Sequence, residues 1–139
     1  MLNDIQFNQV KQYYHSLSFN DRANFIAKLK PETFAWLKYQ TNFMLREEQV
    51  FPDDFNGRYY LALTGRGWGK SYAGGYYIAE KMKKGSIGLA IVAPTYKDLL
   101  DTMVPAILDH FPKNDQPKFV DGNKKWIKYK DVVVQCFTS

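Results

Sequence analysis

Tyr59-Tyr60-Leu61-Ala62-Leu63-Thr64-Gly65-Arg66-Gly67-Trp68-Gly69-Lys70-Ser71 is the stretch whose reading decides the fold. Tyr59 to Thr64 is a short, nearly continuous apolar run, the pattern of a strand buried on both faces as in a parallel sheet. Gly65, Gly67 and Gly69 then let the backbone curl so that successive N–H groups turn inward. A helix is expected from Lys70 to about Lys84, with Gly85 as its C-cap. Ile87 to Ala93 reads as a second buried strand. Strand, glycine loop, helix and strand in that order predict a βαβ unit.

Working outward, residues up to about Tyr39 read as short helices. Ser18-Phe19-Asn20-Asp21 has the form of a capping box, in which a hydroxyl and a carboxylate satisfy orphan amides. Pro31 suits the first turn of the next helix, because its missing N–H leaves nothing unpaired there. Arg46 to Gly57 reads as loop. Downstream, Thr95-Tyr96-Lys97-Asp98 is a second capping box, and Leu100, Met103, Val104, Ile107, Leu108 and Phe111 continue it at helical spacing. Pro105 within that pattern should kink or split the helix near Asp101. Asp121-Gly122 and Lys130-Asp131 read as turns between short strands that carry Trp126-Ile127 and Val132-Val133-Val134.

A chain of 139 residues holds one domain with a sizeable core, and 45% hydrophobic residues exclude disorder by composition. The formal net charge of +5 suits a polyanionic partner without requiring one. Cys136 is the only cysteine, so an internal disulfide or a cysteine cage is excluded, and it reads as a small buried apolar side chain. His15 and His110 lack partners at ligand spacing and read as neither metal ligands nor bases. No signal peptide is visible, and the longest apolar run, Ile87 to Pro94, is too short to span a bilayer. A soluble, reducing, intracellular setting is therefore expected.

Gly65 to Ser71 carries the chemistry. Such a loop cradles phosphate oxygens with backbone N–H groups at the positive end of a helix. Lys70 would reach the β- and γ-phosphates, and the Ser71 hydroxyl would ligate Mg²⁺. Thr64 stands where the strict spacing asks for glycine. Arg66 has two open readings: a cis-acting arginine on the γ-phosphate, or a solvated or carboxylate-paired side chain. Trp68 reads as filling a gap beside the loop, with stacking as the alternative. Gly74 and Gly75 predict close packing of the helix on the sheet. Lys113, Lys118, Lys124, Lys125, Lys128 and Lys130, with Trp126 and Tyr129, read first as the solvated face of a hairpin and second as a DNA-backbone contact.

Four features together resemble the large terminase subunit of tailed bacteriophages, the ATPase that drives DNA into capsids. They are the capped helices of Ser18 to Thr33, Arg46-Glu47-Glu48-Gln49 as an Arg-x-x-Gln adenine segment, the arginine-containing loop at Gly65 to Ser71, and Ala90 to Asp98 followed by Asp101 to Val104. The resemblance implies an α/β P-loop NTPase fold of the additional-strand type. That fold has a partial parallel sheet with helices on both faces, preceded by short N-terminal helices. Residues 1–139 would be the N-terminal part of one ATPase domain: 1–57 the helical lead-in and adenine segment, 58–112 the P-loop βαβ and following helix, 113–139 a β-hairpin region.

The same resemblance makes ATP and Mg²⁺ the cofactors. Arg46 and Gln49 would read adenine, Thr64, Gly65, Arg66, Gly67, Trp68, Gly69, Lys70 and Ser71 would hold phosphate, and Arg66 and Lys70 would be catalytic. Double-stranded DNA, the portal and the small terminase subunit are the implied partners, with a homo-oligomeric ring in the full-length context. No membrane is involved, and the host cytoplasm is the implied location. The family's Asp-Glu strand, coupling motif and nuclease domain do not occur before Ser139, so binding of ATP with negligible turnover is expected. A helicase-type DNA-dependent ATPase and a non-catalytic nucleotide- or partner-binding phage protein are the alternatives.

Overall fold

The computed structural model describes residues 3–52 and 61–139. The chain forms two compact units, Met1–Glu47 and Glu48–Ser139. Among the described residues no helix is long and apolar enough to cross a membrane.

The first unit holds helices α1 (Asp4–Ser16), α2 (Phe19–Ala27) and α3 (Pro31–Gln40). Helix α1 starts on a reciprocal capping box. The Asn3 side chain accepts from the Gln6 N–H at 2.9 Å, and the Asn3 N–H donates to Gln6 Oε1 at 3.1 Å. Ser18 caps α2 as expected, accepting from the Asp21 N–H. The Asp21 carboxylate, however, takes the Ser18 hydroxyl proton at 2.6 Å, so only half of the expected box forms. Pro31 occupies the first turn of α3 as expected. Tyr14, Leu37 and Phe43 are buried together, with Phe7, Phe25 and Trp36 packed against them. Phe7 meets Trp36 edge-on at 6.2 Å and Tyr14 lies tilted on Phe43 at 5.0 Å, while Phe25 and Phe43 stack at 6.5 Å.

The second unit is mixed α/β. Helix α4 (Lys70–Lys83) is followed by β1 (Leu89–Ala93), α5 (Tyr96–Asp98), a π-helical turn (Leu99–Met103), α6 (Val104–Leu108), and strands β2 (Lys118–Asp121), β3 (Lys125–Tyr129) and β4 (Val132–Thr138). Gly85, at φ +74°, ends α4 in a Schellman motif. Its N–H donates to the Met82 carbonyl, and the Ser86 N–H donates to that of Lys81. Thr95 caps α5 by accepting from the Asp98 N–H. Pro105 lies in the first turn of α6. Proline has no N–H for the Asp101 carbonyl, and the helix slips there into a wider turn in which the Val104 N–H reaches back to the Leu99 carbonyl. The split expected near Asp101 takes this form.

The strands form one four-stranded sheet in the order β1-β4-β3-β2. β1 and β4 are parallel, with Leu89 opposite Val134 and Ala93 opposite Thr138. The β3–β4 and β2–β3 pairs are antiparallel, Tyr129 opposite Val132 and Asp121 opposite Lys125. One face carries Ile91, Ala93, Ile127, Val132, Val134 and Cys136 into the core, where Ala79, Met82, Leu99, Val104, Ile107 and Phe111 meet them. The opposite face leaves Val92 60% and Phe137 48% exposed.

The structure differs from expectation at four points. Of the run Tyr59 to Thr64, Tyr59 and Tyr60 lie outside the described residues. Leu61 to Thr64 forms no strand, and Leu61 and Leu63 are 77% and 84% exposed. An apolar run is not a strand until another strand offers it a ladder, and β1 takes its parallel partner from β4 instead. The βαβ unit expected across the glycine loop is therefore not formed among the described residues. The sheet itself is mixed, because the hairpin β2–β3 folds back on β4. Nor is β1 buried on both faces: its residues alternate between core and solvent.

Gly75 brings α4 against α6, since a Cβ there would stand 2.3 Å from the Ala106 carbonyl oxygen. The close packing expected of the glycines is thus made to a helix rather than to the sheet, and only at Gly75. A Cβ on Gly74 would meet nothing within 4 Å. Gly75→Ala should destabilise the protein by about 1–3 kcal/mol, the cost of forcing atoms into a filled interface. Gly74→Ala should stabilise it by about 0.5–1 kcal/mol, because alanine loses less freedom in a helix. Urea unfolding midpoints of the two variants check both signs.

Candidate nucleotide-binding site

The loop enters α4 through two left-handed glycines, Gly67 at φ +82° and Gly69 at φ +90°. Residues with a Cβ are strained in that conformation, which explains glycine at both positions. Gly69 is the N-cap of α4, and its carbonyl accepts the Ala73 N–H at 2.9 Å. Among the described residues, no backbone carbonyl takes the N–H groups of Gly65, Arg66, Gly67, Gly69, Lys70 or Ser71. Unengaged donors at the positive end of a fourteen-residue helix make a favourable place for an anion.

Lys70 turns back over the loop. Its ammonium donates to the Thr64 carbonyl at 2.9 Å, to Thr64 Oγ1 at 3.0 Å and to the Gly65 carbonyl at 3.0 Å. These acceptors match the three protons of an ammonium. Arg66 is exposed, and among the described residues it makes no hydrogen bond or ion pair. The carboxylate-paired reading of Arg66 therefore has no partner there. Ser71 is exposed in the first turn of α4. Trp68 is half-buried, as a gap-filling side chain would be.

Gln49 sits in a 3₁₀ turn, Glu47–Gln49, and is buried to 6% exposure. Its side-chain amide donates to the Trp68 carbonyl at 2.7 Å. A Cβ on Gly69 would come within 2.6 Å of Gln49 Nε2, so the glycine also makes room for the amide. The structure thus joins Gln49 to the loop at two points. Arg46 belongs to the first unit, half-buried and within electrostatic reach of His15.

The remaining titratable groups are occupied by structure. His15 donates Nε2–H to the Phe43 carbonyl at 2.9 Å, and burial pushes its pKa down. His110 is buried against Tyr72 and Tyr76, its Nε2 3.1 Å from the Tyr72 carbonyl. Burial pushes the Cys136 thiol up to about 11, as expected of an inert core cysteine. Lys125 pairs with Asp121 at 3.4 Å, while Lys124 and Lys130 lie over the rings of Trp126 and Tyr129. Three of the six lysines, Lys124, Lys125 and Lys130, thus have local partners.

Among the described residues no group of three His, Cys, Asp or Glu side chains could hold a metal ion. Mg²⁺ here fits only as an ion carried largely by phosphate oxygens and water, with one hydroxyl from Ser71. The glycine spacing marks the loop in the sequence but not two of its features: the burial of Gln49 and the use of the Thr64 hydroxyl. Neither leaves a periodic signal, since each depends on one polar atom meeting one backbone group. Comparison with protein-family models, with curated proteins and with solved structures finds no match to the chain.

Removing the Gln49 amide takes one hydrogen bond from the Trp68 carbonyl. Gln49→Ala should lower the unfolding free energy by about 1–3 kcal/mol, read as a lower denaturation midpoint in urea.

Proposed function

We propose that the chain binds ATP with Mg²⁺ through Gly65 to Ser71, as the ATP-binding N-terminal portion of a phage terminase large subunit. That protein is the motor that translocates double-stranded DNA into the procapsid. The P-loop NTPase fold, the partnership with DNA, portal and small subunit, ring assembly and the host-cytoplasmic setting all belong to this proposal.

The observation that carries it is the row of unengaged loop N–H groups running into α4 beneath the Lys70 ammonium. A triphosphate supplies the acceptors that this row lacks. Lys70 would exchange some of its loop oxygens for β- and γ-phosphate oxygens, and the Ser71 hydroxyl would join the Mg²⁺ shell. Mg²⁺ supplies positive charge against the phosphates. Arg66, exposed at the loop, is free to swing toward the γ-phosphate, where charge accumulates during phosphoryl transfer. The adenine reading of Gln49 rests on the resemblance; in the structure its amide lies beside Gly69 and donates to the Trp68 carbonyl. An amide donates and accepts together, as an adenine edge requires.

Titration of fluorescent ATP and GTP analogues with Mg²⁺ tests the proposal. Lys70→Ala should weaken ATP binding about tenfold to hundredfold, the loss of a charge-assisted bond. Gln49→Ala should narrow the preference for ATP over GTP, whereas a purely structural role for Gln49 would weaken both nucleotides equally. Equal ATP affinity in wild type and Lys70→Ala would refute the phosphate-loop reading.

A further inference from the structure

Thr64 stands where the strict phosphate-loop spacing has glycine, and the structure gives its hydroxyl a partner. The Lys70 ammonium has three protons, and Thr64 takes two of them, one on its carbonyl and one on Oγ1 at 3.0 Å. The third goes to the Gly65 carbonyl. Thr64 itself is half-buried and the three bonds are solvent-exposed, so each can be exchanged without stranding a buried group. The two carbonyls are fixed by the backbone. The hydroxyl is the one acceptor that leaves by rotation about a single side-chain bond.

We infer that Thr64 is a positioning residue whose hydroxyl holds the Lys70 ammonium over the loop, in the place of a phosphate oxygen, and turns aside when a nucleotide binds. This inference rests on the nucleotide-binding reading above. It explains how threonine serves at a glycine position: the side chain keeps the lysine over the loop, away from other anions. The consequence is competition, because nucleotide must displace the hydroxyl before Lys70 is fully available. A glycine or a valine at position 64 has no hydroxyl to displace.

Two measurements on the full chain test it, with Thr64→Val to remove the hydroxyl at nearly constant shape and Thr64→Ser to retain it. The first, without nucleotide, is the rate at which an amine-acylating reagent labels Lys70, read by peptide mass spectrometry with Lys84 and Lys113 as internal references. A held ammonium must break its contacts before its nitrogen attacks the reagent. Labelling of Lys70 should be about threefold to tenfold faster in Thr64→Val, the equivalent of one lost hydrogen bond. Thr64→Ser should label at the wild-type rate. The second is the affinity for Mg²⁺–ATP, which should be tighter by a similar factor in Thr64→Val and unchanged in Thr64→Ser.

Equal labelling in wild type and Thr64→Val would overturn the hold, whatever the nucleotide result. Faster labelling together with weaker ATP binding would overturn the competition and make the hydroxyl a direct ligand. Should the labelling differ as expected in proteins that bind no nucleotide, the hold stands, and the phosphate reading that gives it a purpose falls.

Discussion

The second unit depends on a missing side chain. At Gly75, α4 approaches the backbone of α6 so closely that a single methyl group would collide with the Ala106 carbonyl. That contact fixes where α4 lies, and the residues before and after it follow. Toward the C-terminus, Ala79 and Met82 reach the core formed with Ile91, Ile127 and Val134. Toward the N-terminus, the first turn carries Lys70 and Ser71, so the loop's donors are aimed by a packed helix rather than by the loop alone. A phosphate cradle needs this, because backbone N–H groups act as a site only when they converge without reorganising.

The loop obeys the same economy of space. Gly69 accepts a left-handed conformation and also leaves room for the Gln49 amide, which braces the loop through the Trp68 carbonyl. One glycine thus answers a backbone demand and a packing demand at once. Thr64 and Lys70 close the mouth with bonds that lie in solvent and are easily exchanged. The loop is therefore firm at its base and changeable at its mouth. On the proposed reading the loop would need both properties: a rigid scaffold for the phosphates, and a lysine able to change partners.

What was legible in the sequence was what neighbouring residues decide. Ser18 and Thr95 cap their helices because the hydroxyl lies three residues from the amide that it serves. Gly85 ends α4, Pro105 breaks the ladder at Asp101, and the hairpin turns fall where Asp121-Gly122 and Lys130-Asp131 put them. What was not legible was pairing across distance. β1 selects β4, which lies beyond a helix and a hairpin, and the apolar character of Leu61 and Leu63 could not reveal that they stay exposed. For the site, glycine spacing marked the loop, while the burial of Gln49 and the hydroxyl of Thr64 had to be seen in three dimensions. Residue type alone does not record which backbone group a polar atom will meet.

The proposed phosphate receptor is the set of backbone N–H groups of Gly65, Arg66, Gly67, Gly69, Lys70 and Ser71. Backbone amide resonances of the ¹⁵N-labelled chain, followed during titration with Mg²⁺–ATP, test this most directly. The largest shifts should fall on Gly65, Gly67, Gly69, Lys70 and Ser71, with Gln49 responding through its bond to Trp68. The amides of the open sheet face around Trp126 and Phe137 should stay in place. Saturable shifts centred on that face, or none in the loop at concentrations that saturate binding, would contradict it.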